Sequence, residues 1–140
     1  MQAMLYLLEQ GDYGKIEIKR GGAVGMRTVE KPWGRELWWA QTPAYVAKIL
    51  QVKAGQRLSL QYHKEKLESM YFAAGSGTLI LGAETKEIEP GLAVTIEPGT
   101  IHRIIASSDV TVFEVSTPQV EDVVRVEDAY GRTLDPPRAV

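Results

Sequence analysis

The 140-residue chain carries 16 Lys and Arg against 18 Asp and Glu, a net charge of -2, with 44% hydrophobic residues and no cysteine. That length suits one domain with one core, and the slight negative charge offers no basic field of the kind that draws a protein to nucleic acid. The missing thiols exclude disulfides and thiolate metal sites, which leaves any metal to His, carboxylate and amide ligands.

The opening "MQAMLYLLEQ" lacks a basic leader region and a small-residue cleavage site and is too short to span a bilayer. Residues 1–25, ending in "RGGAVG", are therefore expected as an N-terminal extension of a cytoplasmic chain with no membrane partner. From there to residue 132 the sequence reads as short strands: "ELWWAQ" from Glu36, "YVAKILQV" from Tyr45, "RLSLQYH" from Arg57, "SMYFAAG" from Ser69, "TLILG" from Thr78, "LAVTIE" from Leu92, "HRIIAS" from His102 and "VTVFEVS" from Val110. "KAGQ", "GSG", two copies of "EPG" and "SSD" punctuate them as turns. Short strands at this spacing predict an all-β sandwich or barrel, and the absence of crossover helices argues against a parallel βαβ sheet. The single domain is expected over 26–132, with 133–140, containing two prolines, as a flexible tail.

Alternation along a strand sends every second side chain to the same face. Arg57, Ser59, Gln61 and His63 would thus share one face, with Leu58, Leu60 and Tyr62 on the other. The second histidine, His102, follows a Pro98-Gly99 turn. Gly55, Gln61, His63, Glu68 and Gly75, then Gly91, Pro98, Gly99 and His102, closely resemble the two signature motifs of the cupin superfamily, with Gln61 in place of that family's first histidine.

The resemblance implies a cupin-type double-stranded β-helix, a jelly-roll barrel whose mouth holds a metal. It implies Gln61, His63, Glu68 and His102 as the ligands, with Glu65 as a rival carboxylate that the family spacing disfavours. It implies, too, that the face of Leu58, Leu60 and Tyr62 packs outward against the rest of the sandwich or a partner subunit. Two imidazoles, a carboxylate and an amide oxygen suit a divalent ion such as Zn, Mn, Fe or Ni.

"VEKPWG", "YVAKILQVKAGQRLSLQYH", "PGTIHRI", "EVSTP" and "DVVRVEDAYGR" resemble, in addition, the isomerase part of type II mannose-6-phosphate isomerases, enzymes often fused to mannose-1-phosphate guanylyltransferase. This chain departs from that branch in one segment: "QYHKEKLESMY" keeps the Gln, the first His and the Glu but lacks the neighbouring histidines and the Trp. The chain is too short for a nucleotidyltransferase domain and lacks its Gly-rich start, so no guanylyltransferase activity is expected.

An aldose–ketose isomerase needs a Lewis acid and a base. Glu114, a carboxylate within the apolar "VFEVS", is the candidate base. Lys48, which interrupts "YVAKILQV", is expected beside it in catalysis, and Lys48 and Arg132 are expected to hold a substrate phosphate. Trp33, Trp38 and Trp39 are read as packing or dimer-contact residues. The expected partners are a sugar or sugar phosphate and a second copy of the chain, in carbohydrate metabolism and polysaccharide biosynthesis. A non-catalytic metabolite-binding cupin and a cupin oxygenase or decarboxylase stand as the alternatives, because one fold supports several chemistries.

Overall fold

The computed structural model describes residues 26–132, so the expected N-terminal extension (1–25) and flexible tail (133–140) lie outside the described residues. Eleven strands run in chain order: β1 (Arg27–Lys31), β2 (Gly34–Gln41), β3 (Val46–Val52), β4 (Leu60–Tyr62), β5 (Glu68–Ala74), β6 (Gly77–Leu81), β7 (Glu84–Ile88), β8 (Ala93–Ile96), β9 (His102–Ala106), β10 (Val110–Ser116) and β11 (Val124–Glu127). They form two antiparallel sheets, ordered β1-β2-β3-β10-β5-β8 and β11-β4-β9-β6-β7. This is the expected all-β jelly roll, and among the described residues no helix is long and apolar enough to cross a membrane.

All eight expected strands are present, and the three that sequence reading missed, β1, β7 and β11, are edge strands. Their sequences, RTVEK, ETKEI and VRVE, are rich in charge. Charged edges discourage pairing with other chains but erase the apolar alternation by which strands are recognised.

Each central strand of the first sheet buries alternate residues: Val46, Lys48, Leu50 and Val52 in β3, Glu68, Met70 and Phe72 in β5, and Val110, Val112, Glu114 and Ser116 in β10. The apolar members other than Val46 meet Leu79, Ile88, Ile96 and Ile104 of the other strands in one cluster closed by Trp33 and Leu58. Full burial of a side chain such as Phe72 or Leu79 contributes about 1.5–3 kcal/mol.

The segment 57–63 corrects the expected alternation. Strand β4 begins only at Leu60, and Arg57 makes an isolated bridge to Ile105. Before Leu60 the period of two is therefore broken: Leu58 and Ser59 are both buried, Arg57 is exposed, and Leu58 joins the core instead of packing outward. The tryptophans also divide. Trp33 lies in the core, Trp38 lines an internal cavity, and Trp39 is exposed.

Two glycines secure turns between strands, Gly75 after β5 and Gly99 before β9. At Gly75 (φ +95°) a Cβ would lie 2.2 Å from the carbonyl oxygen of Asp109, so only glycine fits. Gly99 (φ +84°) donates its backbone N–H to the carbonyl of His63 at 2.7 Å, which ties the loop before His102 to the end of β4.

Candidate metal centre and active site

His102 opens β9 directly across from Gln61 of β4, His63 follows β4, and Glu68 opens β5. Strand pairing thereby brings residues distant in sequence to one end of the sandwich. The side-chain ligand atoms of His63, Glu68 and His102 lie within 4.8 Å of one another, and all three residues are buried. Glu65, the rival carboxylate, is exposed.

Backbone contacts set the ring orientations. His63 Nδ1 lies 2.6 Å from the carbonyl oxygen of Asp122, and His102 Nδ1 lies 2.9 Å from that of Thr100. A carbonyl oxygen only accepts, so Nδ1 of each ring carries the proton, and in the neutral ring Nε2 presents a lone pair. Both Nε2 atoms face the same oxygen, Glu68 Oε1, at 3.1 and 2.9 Å. Two lone pairs directed at a carboxylate call for a cation between them. Consistent with this, His102 Nε2 is buried without a hydrogen-bond partner. The donor set fits a divalent ion with its outer hydrogen bonds already in place. Gln61 lines the same cavity; its Oε1 accepts a hydrogen bond from Ser59 Oγ at 2.6 Å, which leaves a second lone pair on that oxygen.

Asp122 organises the connection from β4 to β5. Besides the His63 contact made by its carbonyl, its carboxylate accepts the backbone N–H groups of Lys64, Glu65 and Lys66 at 3.0, 2.6 and 2.9 Å. Desolvation raises its carboxyl, but those three donors and His63 outweigh it and hold the group below the usual Asp range. Sequence reading did not single out Asp122, because an acidic residue within "QVEDVV" has the look of a solvated loop.

Lys66 was also missed. It is buried, with Nζ 3.0 Å from Glu68 Oε2 and 3.9 Å from Glu114 Oε1. Burial works against its charge, yet Glu114 and Glu68 keep the ammonium above the ordinary lysine value. Burial likewise pushes Glu68 up, but its contacts with His102, His63 and Glu114 and the charge on Lys66 hold it well below the carboxylate range.

Glu114 points inward from β10 and lines the cavity, with Lys48 of β3 and Met70 of β5 as its partners in register. Burial and the charge of Glu68 push it up to about 8, against the opposing charges of Lys66 and Lys48. Lys48 also lines the cavity, 3.4 Å from Glu36 Oε2 and 4.0 Å from the centre of the Trp38 ring. Arg132 lines it as well, held by Asp128 through Nε at 2.9 Å and Nη2 at 3.1 Å. Lys31, Trp38 and Arg125 complete the polar lining.

Comparison with known proteins agrees with this architecture. Residues 19–128 match the family described as "Mannose-6-phosphate isomerase C-terminal". The mannose-1-phosphate guanylyltransferase ManC of Salmonella typhimurium is 31% identical over 111 residues, covering 76% of this chain and 23% of that protein. The xanthan biosynthesis protein XanB of Xanthomonas campestris pv. campestris is 30% identical over 125 residues, 84% of this chain and 27% of that one. The chain thus spans about a quarter of the length of these relatives. Among solved structures, KdgF from Halomonas sp. superposes with a TM-score of 0.62 at 21% identity, over 76% of this chain and 98% of that chain, a likeness of fold alone. With the motif residues, the two-sheet barrel and the family match in agreement, this chain belongs to the mannose-6-phosphate isomerase C-terminal family of cupin-fold proteins.

Proposed function

We propose that the chain is a metal-assisted aldose–ketose isomerase acting on a phosphorylated hexose of the mannose 6-phosphate type, in the cytoplasm. The observation that carries this reading is Glu114, a buried carboxylate that opens into the same cavity as His63 and shares Lys66 with the ligand Glu68. The likeness to XanB, a xanthan biosynthesis protein, supports a role in polysaccharide biosynthesis.

His63, Glu68 and His102, with Gln61 as a further donor, would hold a divalent ion, which would supply Lewis acidity toward the carbonyl and hydroxyl oxygens of the sugar. Glu114 takes the proton from C2 of the aldose, leaving an enediolate; the O2 hydroxyl proton passes to O1, and Glu114 returns its proton to C1 to give the ketose. Lys66, in contact with both carboxylates, offsets one of their charges while the proton is in transit. Lys48 stands across from Glu114 in register and acts through charge as a positioning residue. The apolar floor beneath, including Leu50, Leu58 and Met70, keeps bulk water from the enediol.

Metal analysis of the purified chain, joined to exchange of the C2 proton of mannose 6-phosphate with solvent, tests the reading. Bound metal and exchange are expected. Metal-loaded protein without exchange would remove the isomerase and leave a second reading, a non-catalytic sugar-binding cupin. That reading draws on Lys66, whose ammonium already contacts Glu68 and Glu114 and so forms a cluster compatible with a purely structural role. The expected homodimer also stands as a proposal, supported by exposed Trp39 and by the stacked, exposed Tyr71 and Phe113; sedimentation velocity decides it.

A further inference from the structure

Five cationic side chains line the cavity: Lys31, Lys48, Lys66, Arg125 and Arg132. Three are already neutralised. Lys48 is paired with Glu36 at 3.4 Å, Lys66 with Glu68 at 3.0 Å, and Arg132 with Asp128 at 2.9 Å. Lys31 and Arg125 have no carboxylate within ion-pair distance among the described residues. Arg125 Nε is, in addition, buried with no hydrogen-bond partner. The two residues come from opposite sheets. Lys31 ends the edge strand β1, and Arg125 lies in the edge strand β11 across from Gln61 in register.

Half-buried like charges without a counter-ion cost free energy, and proteins retain such pairs where a ligand brings the opposite charge. Desolvation is the first influence on both groups. It pulls Lys31 below its ordinary value against the charge of Glu36, with Lys48, Arg125 and Arg132 acting in the same direction as burial, and it pulls Arg125 down together with Arg132 against Asp128 and Glu36. An arginine with a free Nε beside an ammonium offers one planar fork and one point charge, which suits the tetrahedral oxygens of a phosphate.

We propose that Lys31 and Arg125 form an anion subsite that takes the phosphate of a phosphorylated sugar, the role expected from sequence for Lys48 and Arg132. The assignment to a sugar phosphate rests on the isomerase reading; the anion subsite does not. The sugar would lie between two poles, its phosphate between the edge strands and its carbonyl end toward His63 and Glu68. Selection for a phosphorylated over a neutral sugar then comes from two residues remote from the proton transfer, so their loss weakens binding more than turnover.

The test is binding of inorganic phosphate to the full chain after chelation, so that no metal can take the anion, read by the fluorescence of the cavity tryptophans Trp33 and Trp38 and by the phosphate-induced rise in Tm. Lys31→Gln and Arg125→Gln are each expected to weaken phosphate binding by about tenfold or more, the scale of one lost charge-assisted contact. Arg125→Lys should recover part of the affinity, and Lys86→Gln on the exposed edge strand β7 should change nothing. In phosphate-free buffer Lys31→Gln should raise Tm, because it relieves repulsion, while it loses the phosphate-induced rise; this crossing separates a ligand site from a folding defect. Phosphate affinity unchanged in both Lys31→Gln and Arg125→Gln, or lost only on replacing Lys48 or Arg132, overturns the proposal. Because no turnover is measured, failure of isomerisation leaves this result standing, and failure here leaves proton exchange at C2 to be judged alone.

Discussion

The two ends of the sandwich interior are built by the same strands and differ in what those strands point inward. Toward one end β3, β5 and β10 present Leu50 and Val52, Phe72, and Val110 and Val112; toward the other they present Lys48, Glu68 and Glu114. Both ends are buried, but only the first is a source of stability. At the second, charges removed from water are compensated by one another and by His63, His102 and Lys66, an arrangement that at best offsets its own desolvation. A continuous strand can therefore carry a folding core and a buried polar cluster, with the crossover between Lys48 and Leu50 in β3 and between Val112 and Glu114 in β10.

The sharpest division between the ends is expected from Glu114→Gln. It keeps the volume of the side chain and should leave metal content and Tm close to wild type while lowering turnover by about 10² to 10⁴, the usual contribution of a positioned general base. Paired assays of exchange at C2 and of bound metal check it. At the apolar end Phe72→Ala should do the reverse, costing about 3–5 kcal/mol in urea unfolding through the cavity it leaves, with the metal ligands intact in whatever fraction remains folded.

A double replacement asks whether the polar end is sustained by function alone. Lys66→Met with Glu114→Leu removes a buried cation and a buried carboxyl together, and in metal-loaded protein, where the ion would compensate Glu68, stability should hold or rise by about 1–4 kcal/mol, as for other buried ion pairs replaced by apolar groups. A loss of that size would show that the cluster is part of the folding core after all.

The smallest effect is expected at the rim. Asp122→Ala removes the acceptor for three backbone N–H groups and should cost about 2 kcal/mol, the scale of hydrogen bonds to a charged group. Because the folded carboxyl titrates below the ordinary Asp value of 3.8, its contribution is complete above that pH and disappears as the pH falls through the lower folded value. Wild type should therefore lose stability relative to Asp122→Ala only in acid below about pH 4, and a difference that instead varied between pH 6 and 8 would assign the effect to another group.

How much of this could be read from the chain follows from how local each feature is. Alternation and turn residues are local, and they specified the central strands but left the direction of Glu114 and Lys48 open; the fold turns both inward. The motif spacing around Gly75 and Gly99 put His63, Glu68 and His102 together on paper, and strand pairing puts them together in space. Edge strands β1, β7 and β11 were hidden because their exposed positions carry charge, and the irregular backbone before Leu60 defeated the count of two that would have turned Leu58 outward. Only tertiary structure could decide which charges are compensated. Lys66 finds Glu114, and Asp122 reaches back to the backbone of residues 64–66, across long stretches of chain. Lys48 and Arg132 look like free cations in sequence, yet they are held by Glu36 and Asp128, whereas Lys31 and Arg125, unremarkable in sequence, are left uncompensated. Charge pairing depends on distances through space, and a sequence records residue types without those distances.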